Sequence, residues 1–183
     1  MIIIGIDPGS QRTGWGVISV QSSTSTFTSN FDLKCLGFGV IDLTEKPTFH
    51  ARLAKLHNEL NSLIQKFEPQ FMSVEKVFLG KNADSAFKLG HARGVVLALA
   101  GAYNLSLSEY ATRVVKKALT GSGAAEKEQV QFMVDSILKI KTNQLDASDA
   151  LATAICMARE IEVNQKLKAF KPSQLINKQE NKL

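Results

Sequence analysis

The sequence predicts an α/β fold: a five-stranded mixed sheet flanked by helices, with an antiparallel meander leading into parallel crossovers. Three observations predict it. Three strand-like segments follow one another before Glu45. Helix-like and strand-like segments then alternate, which calls for crossover connections and parallel pairing. The closing part of the chain carries helical periodicity with no further strand.

Each element has its own signal. Met1–Ile6 reads as a buried strand and Trp15–Val20 as a second, joined across the turn Pro8–Gly14 into a hairpin. Gln21–Asn30 is polar, rich in Ser and Thr, and reads as a loop or extended hairpin tip. Leu33–Leu43 alternates roughly, and Gly37 and Gly39 disfavour helix, so it is the third strand. Phe49–Phe67 is the clearest helix, with Leu53, Leu56, Leu60, Leu63, Ile64 and Phe67 at spacings of three and four. After Pro69, "FMSVEKVF" is a strand with Phe71, Ser73, Glu75 and Val77 on one face. Asn82 or Asp84 can cap a helix running to about Tyr103, whose "GVVLALAGA" interior suits deep burial or a subunit interface. Leu105–Tyr110 is the fifth strand. Helices at Ala125–Ile140 and from about Asp146 through Ile161 follow the Gly121–Gly123 linker.

Composition bounds the rest. With 183 residues, 44% hydrophobic and 21% charged, the chain can bury one core without staples. The expected division is one domain over 1–160 and a basic, poorly ordered tail over 161–183. The longest apolar stretch falls far short of the ~20 residues that cross a bilayer. No basic region precedes Ile2–Ile4, so neither a signal peptide nor a membrane partner is expected. Cys35 and Cys156 lie far apart in apolar contexts and read as free thiols, which favours a reducing, cytoplasmic setting. A net charge of +5 leans toward a polyanionic partner. Lys116 and Lys117 are adjacent, and the tail adds Lys166, Lys168, Lys171, Lys178 and Lys182.

Acidic residues are the candidates for chemistry. Asp7 ends a strand and precedes Pro8 and Gly9, which is turn chemistry. It also stands where α/β proteins bind ligands, and Gly9, Gly14 and Gly16 would let a phosphate backbone approach. Glu75 sits inside a half-buried strand, as a protective edge charge or as a metal-bound acid. Asp146 and Asp149, three apart, share a helix face, either as an N-cap arrangement or as a cation-binding pair. If the four converge, they suit hard divalent cations with oxygen ligands, Mg²⁺ above all. Two such ions would serve a phosphodiester displacement. His50, His57 and His91 add little: nothing in the sequence favours a general-base role for any of them.

The same residues lie in stretches that resemble the RuvC Holliday-junction resolvase family: "IIIGIDPGSQRTGWGVI", "VEKVFLGKNADSAFKLGHARGVV", "EYATRVVKKALTGSGAAEKEQVQFMV" and "LDASDALATAI". They run in order over most of Met1 to Ala158, and "KNADSAFKLGHARG" has no generic structural meaning. The resemblance implies an RNase H-like fold and a homodimer that nicks two strands of a four-way DNA junction symmetrically in recombination and repair. It implies that Asp7, Glu75, Asp146 and Asp149 hold two Mg²⁺ ions, with Mn²⁺ able to substitute, and that cleavage leaves 5′-phosphate and 3′-hydroxyl ends. It further implies partnership with the RuvA–RuvB branch-migration complex and a thymine-containing cutting preference. Phe78 matches an aromatic near the junction centre, and Lys116 and Lys127 match basic positions near the scissile phosphate. Lys81, Arg93 and Lys117 are further DNA-contact candidates, and the helix up to Tyr103 matches the dimer interface. Three features depart from the family pattern: Lys76 after the glutamate, a long Gln21–Asn30 loop, and the basic tail.

Two rival classes are weaker. A sugar-kinase or actin-like ATPase would need a second phosphate loop and an adenosine motif, for which the chain is too short. A non-catalytic junction-binding module would not need all four acids.

Overall fold

The computed structural model of the chain describes residues 1–22, 31–76 and 83–169. Strands β1 (Ile2–Asp7), β2 (Arg12–Ser22) and β3 (Phe31–Asp42) form the meander. Helix α1 (Phe49–Phe67) leads to β4 (Phe71–Lys76), and α2 (Ala83–Ala102) leads to β5 (Ser106–Ala111). Helices α3 (Thr112–Thr120), α4 (Lys127–Leu138) and α5 (Leu145–Ala169) complete the domain. The sheet runs β3-β2-β1-β4-β5, with β1, β4 and β5 parallel. The five-stranded mixed sheet expected from the sequence is the one observed. Because β4 pairs with both β1 and β5, Glu75 is not a protective charge on an edge strand.

Alternation along the strands sorts side chains onto two faces. Ile4, Ile6, Val17, Met72 and Val74 pack against Leu56, Leu60 and Ile64 of α1 and Ala92, Val96 and Leu99 of α2. Ile3, Ile18 and Val20 face the opposite way, toward Leu151, Ala154 and Ile155 of α5, with α3 and α4 closing over them. Each fully buried side chain of this size contributes ~1.5–3 kcal/mol relative to exposure. Helix α5 lies between the sheet and the α3/α4 layer, so Ala150–Ala158 is buried on every side.

Glycines set the height of α5 above the sheet. A Cβ on Gly5 would lie 2.0 Å from the Ala150 carbonyl oxygen, and one on Gly14 would lie 1.9 Å from that of Asp146. A Cβ on Gly16 would meet the Leu151 side chain at 2.5 Å. This corrects the sequence reading of Gly14 and Gly16 as an approach path for phosphate: they admit a helix backbone. Gly9 serves its own turn, where a Cβ would strike the Arg12 carbonyl oxygen at 1.9 Å.

Other boundaries differ for identifiable reasons. Helix α3 is absent from the sequence reading. Its Thr112, Val114 and Val115 are β-branched, and it buries only Val115 and Leu119, so its helical signal is short and diluted. Strand β2 continues to Ser22, shortening the loop at its start. Helix α5 runs through Ala169 rather than about Ile161, helped by good helix formers and the Glu162–Lys166 pair at 2.6 Å. The rest of the expected 21–30 loop, Phe78, Lys81, Asn82 and the tail from 170 onward lie outside the described residues. Both cysteines are free thiols; Cys156 is buried and Cys35 half-buried.

Candidate active site

Asp7 is the last residue of β1 and lies opposite Gly14 of β2. The turn that follows is tied by one buried side chain. The Thr13 hydroxyl donates to the Gly9 carbonyl at 3.2 Å and accepts from the Gly9 amide at 3.3 Å. Turn chemistry and ligand placement are therefore compatible at this position: the clamped turn fixes the exit from the strand that carries Asp7.

Glu75 comes from the adjacent central strand and shares its face with Ser73. The Ser73 hydroxyl donates to Thr153 of α5 at 3.2 Å, and Thr153 donates to the Ala150 carbonyl at 2.8 Å, so this face is pinned to α5. The Glu75 Oε1 atom accepts a short hydrogen bond from the hydroxyl of Thr112, the first residue of α3.

Helix α5 supplies the remaining acids. It begins at Leu145, and the Ser148 amide donates to the Gln144 carbonyl at 3.1 Å. Asp146 therefore lies in the first turn rather than at the cap, and Asp149 one turn on. At the other wall, Lys127 Nζ lies 3.2 Å from Asp149 Oδ2, and Lys116 Nζ donates to the Ala125 carbonyl at 2.6 Å. A capping box between Glu126 and Gln129 starts α4 and fixes the backbone from which Lys127 projects.

These walls enclose a cleft of about 360 Å³ lined by Asp7, Glu75, Lys76, Thr112, Lys116, Lys127 and Asp149. Lys76, the last residue of β4, also lines it. Burial, then the charges of Glu75 and Asp149 and a hydrogen bond with Glu75, push the Asp7 carboxyl up to about 8; Asp146 adds to this. Burial also raises Asp149, opposed by the Lys127 ammonium. Asp149 in turn raises Lys127, with smaller contributions from Asp7 and Glu75. The four acids thus share one electrostatic field in which ionised Asp7 is costly without a countercharge.

Their donor chemistry, all carboxylate oxygen, suits a hard divalent cation such as Mg²⁺ better than a soft metal that prefers thiolate. Among the described residues no three acidic, histidine or cysteine side chains close into a ready-made cage; Asp149 is engaged by Lys127 and Glu75 by Thr112. None of the three histidines lines the cleft.

Other candidates fall elsewhere. Arg93 is occupied by Glu109 of β5, its Nη2 at 2.5 Å and its Nε at 2.9 Å. Lys117 lies beside Arg113 and Val114 on a separate shallow depression. Two residues escaped the sequence reading: Thr13, whose double bond to Gly9 has no linear signature, and Thr112, whose place directly after a strand facing Glu75 is the only hint.

Comparison with known proteins agrees with this architecture. A sequence model of the family described as crossover junction endodeoxyribonuclease RuvC matches residues 3–157. The curated protein of that description from Bdellovibrio bacteriovorus is 44% identical over 163 residues, covering 88% of this chain and 92% of its own. The solved structure of Thermus thermophilus RuvC superposes with a TM-score of 0.79 at 29% identity, over 90% of this chain and 97% of that one. The same protein in complex with Holliday junction substrate gives a TM-score of 0.77 at 28% identity, over 89% and 96% of the two chains.

Proposed function

The chain belongs to the crossover junction endodeoxyribonuclease RuvC family, and on that premise we propose how its own residues resolve Holliday junctions. Asp7, Glu75, Asp146 and Asp149 would hold two Mg²⁺ ions, with Mn²⁺ able to replace them. When bound, the ions supply charge that activates an attacking water and stabilises the departing oxygen of the phosphodiester. The observation that carries this reading is the convergence of acids from β1, β4 and α5 on one cleft, with Asp7 pushed up to about 8 by burial and by its acidic neighbours.

The chain's other residues have simpler tasks. Lys116 and Lys127 stand at the wall of the cleft, where ammonium groups attract and orient the scissile phosphate. Asp149 keeps Lys127 charged and directed toward the acids. The glycine contacts under α5 hold Asp146 and Asp149 at a fixed height relative to Asp7. Products would carry 5′-phosphate and 3′-hydroxyl ends.

A four-way junction has two strands to cut, and a two-fold dimer presents two such clefts. Helix α2 supports this assembly. It buries Ala92, Val96, Leu99 and Ala100 but leaves Phe87 69% exposed and Gly90, Gly94 and Gly101 with open space beside them. A second copy packed on that face would complete the homodimer. Among the described residues no helix is long and apolar enough to cross a membrane. We place the enzyme in the cytoplasm, working on DNA with the RuvA–RuvB complex.

Incubation with a synthetic mobile four-way junction and Mg²⁺ tests the proposal. Paired nicks that a ligase can seal are expected, and they disappear in Asp7→Asn and Glu75→Gln while junction binding remains. Equal cutting of plain duplex, or undiminished cutting by Asp7→Asn, overturns it. Binding should also weaken steeply with salt as counterions are released.

A further inference from the structure

Among the described residues, Thr112 is the one uncharged polar side chain of the cleft wall that touches an acid. It occupies the first position of α3, immediately after β5, and its hydroxyl donates to Glu75 Oε1. The hydroxyl does not serve as a helix cap: the N-cap position is Ala111, and α3 has no side-chain cap. No other side-chain hydrogen bond of Thr112 competes for that donor among the described residues.

The physical consequence follows from the geometry of a carboxylate. Glu75 stands beside Asp7 and shares a hydrogen bond with it; once Asp7 ionises, repulsion between the two carboxylates would turn the longer, more flexible side chain of Glu75 away from the cluster. A neutral donor on one oxygen fixes the terminal torsion without adding charge. Thr112 engages Oε1 alone, so it does not take up the second carboxylate oxygen. A lysine in the same place would also hold Glu75, but it would compete electrostatically with a cation.

We propose that Thr112 is a positioning residue for Glu75, holding its carboxylate in the orientation that binds a divalent cation. The inference rests on the four-acid site proposed above and adds to it a supporting hydroxyl specific to the β5–α3 junction. Partners of this kind are worth about 10–100-fold in metal affinity.

The test measures Mn²⁺ binding to the DNA-free protein by calorimetry or electron paramagnetic resonance, with thermal unfolding followed in parallel. Thr112→Val keeps the shape and removes the donor, Thr112→Ala removes it without the second methyl group, and Thr112→Ser restores it. Expected is a loss of about ten-fold or more in Mn²⁺ affinity for the Val and Ala variants, and a value within about two-fold of the native chain for Ser. In a Glu75→Gln background the Val substitution should add no further loss. Native-like affinity in both Val and Ala variants, or an equal loss in Ser, overturns the inference while leaving the four-acid site standing. Absence of saturable Mn²⁺ binding that Asp7→Asn removes overturns the site and this inference together.

Discussion

On the α1/α2 side of the sheet, β1 and β4 present Ile4, Ile6, Met72 and Val74, and two helices pack over them through Leu56, Leu60 and Val96. On the α5 side the alternate positions of the same two strands are Ile3, Gly5 and Asp7, and Phe71, Ser73 and Glu75. The first face fills space with large apolar side chains and holds its helices at a distance set by them. The second removes side chains at Gly5, Gly14 and Gly16 so that the α5 backbone lies against the strands. That proximity brings two helix-borne acids into the field of two strand-borne acids. One face is specialised for cohesion, the other for bringing groups together.

The contrast breaks most sharply at Gly14. A Cβ there meets the Asp146 carbonyl oxygen at 1.9 Å and its carbonyl carbon at 2.4 Å, backbone atoms that cannot swing aside. Gly14→Ala should therefore displace the start of α5, lowering junction cleavage at least ~100-fold and stability by about 1–3 kcal/mol. Single-turnover cleavage and urea denaturation measure the two effects. On the opposite face, Leu56→Ala removes a fully buried side chain and should cost about 2–5 kcal/mol. Its cleavage rate per folded molecule should stay within about two-fold of native, because nothing in the cleft moves.

The next effect is one of pH. Asp7 is pushed from an ordinary 3.8 up to about 8 by burial, Glu75 and Asp149. Between these values the folded chain keeps a proton that the unfolded chain has released. Stability in the absence of divalent cations should therefore fall as pH rises through that window and level off above about 8. Thermal unfolding from pH 5 to 9 in chelator should show the slope, and Asp7→Asn should flatten it. No such slope is expected from the α1/α2 face. Smallest is the effect at Ser148, whose hydroxyl is buried with no hydrogen-bond partner among the described residues. Ser148→Ala should raise stability by about 1 kcal/mol, measured by denaturant titration, without changing cleavage.

The cohesive face was the more legible of the two in the sequence. Leucines at spacings of three and four name α1 and its buried stripe directly, an apolar run names β1, and alternation names β4. All four acids were also visible, because carboxylates inside strands and on a helix face require explanation. Their convergence depends on contacts that no linear pattern records. Gly14 and Gly16 suggest a ligand approach, yet what approaches is α5, through Asp146 and Leu151 far along the chain. Arg93, a DNA-contact candidate in the sequence, is paired with Glu109 on the next element, β5, which no linear pattern shows. Thr112 carries only the hint of its place after a strand, since its partner lies on another strand and its own helix is short.

The central claim is that Asp7 and Asp149, from opposite sides of the β1–α5 contact, act as parts of one cation site. The most direct test is a double-substitution cycle on single-turnover cleavage of a four-way junction, comparing Asp7→Asn, Asp149→Asn and the pair. Each single change should remove nearly all of the rate, and the pair should be no slower than Asp7→Asn alone, as for residues that act as a unit. Losses that multiply in the pair would contradict it.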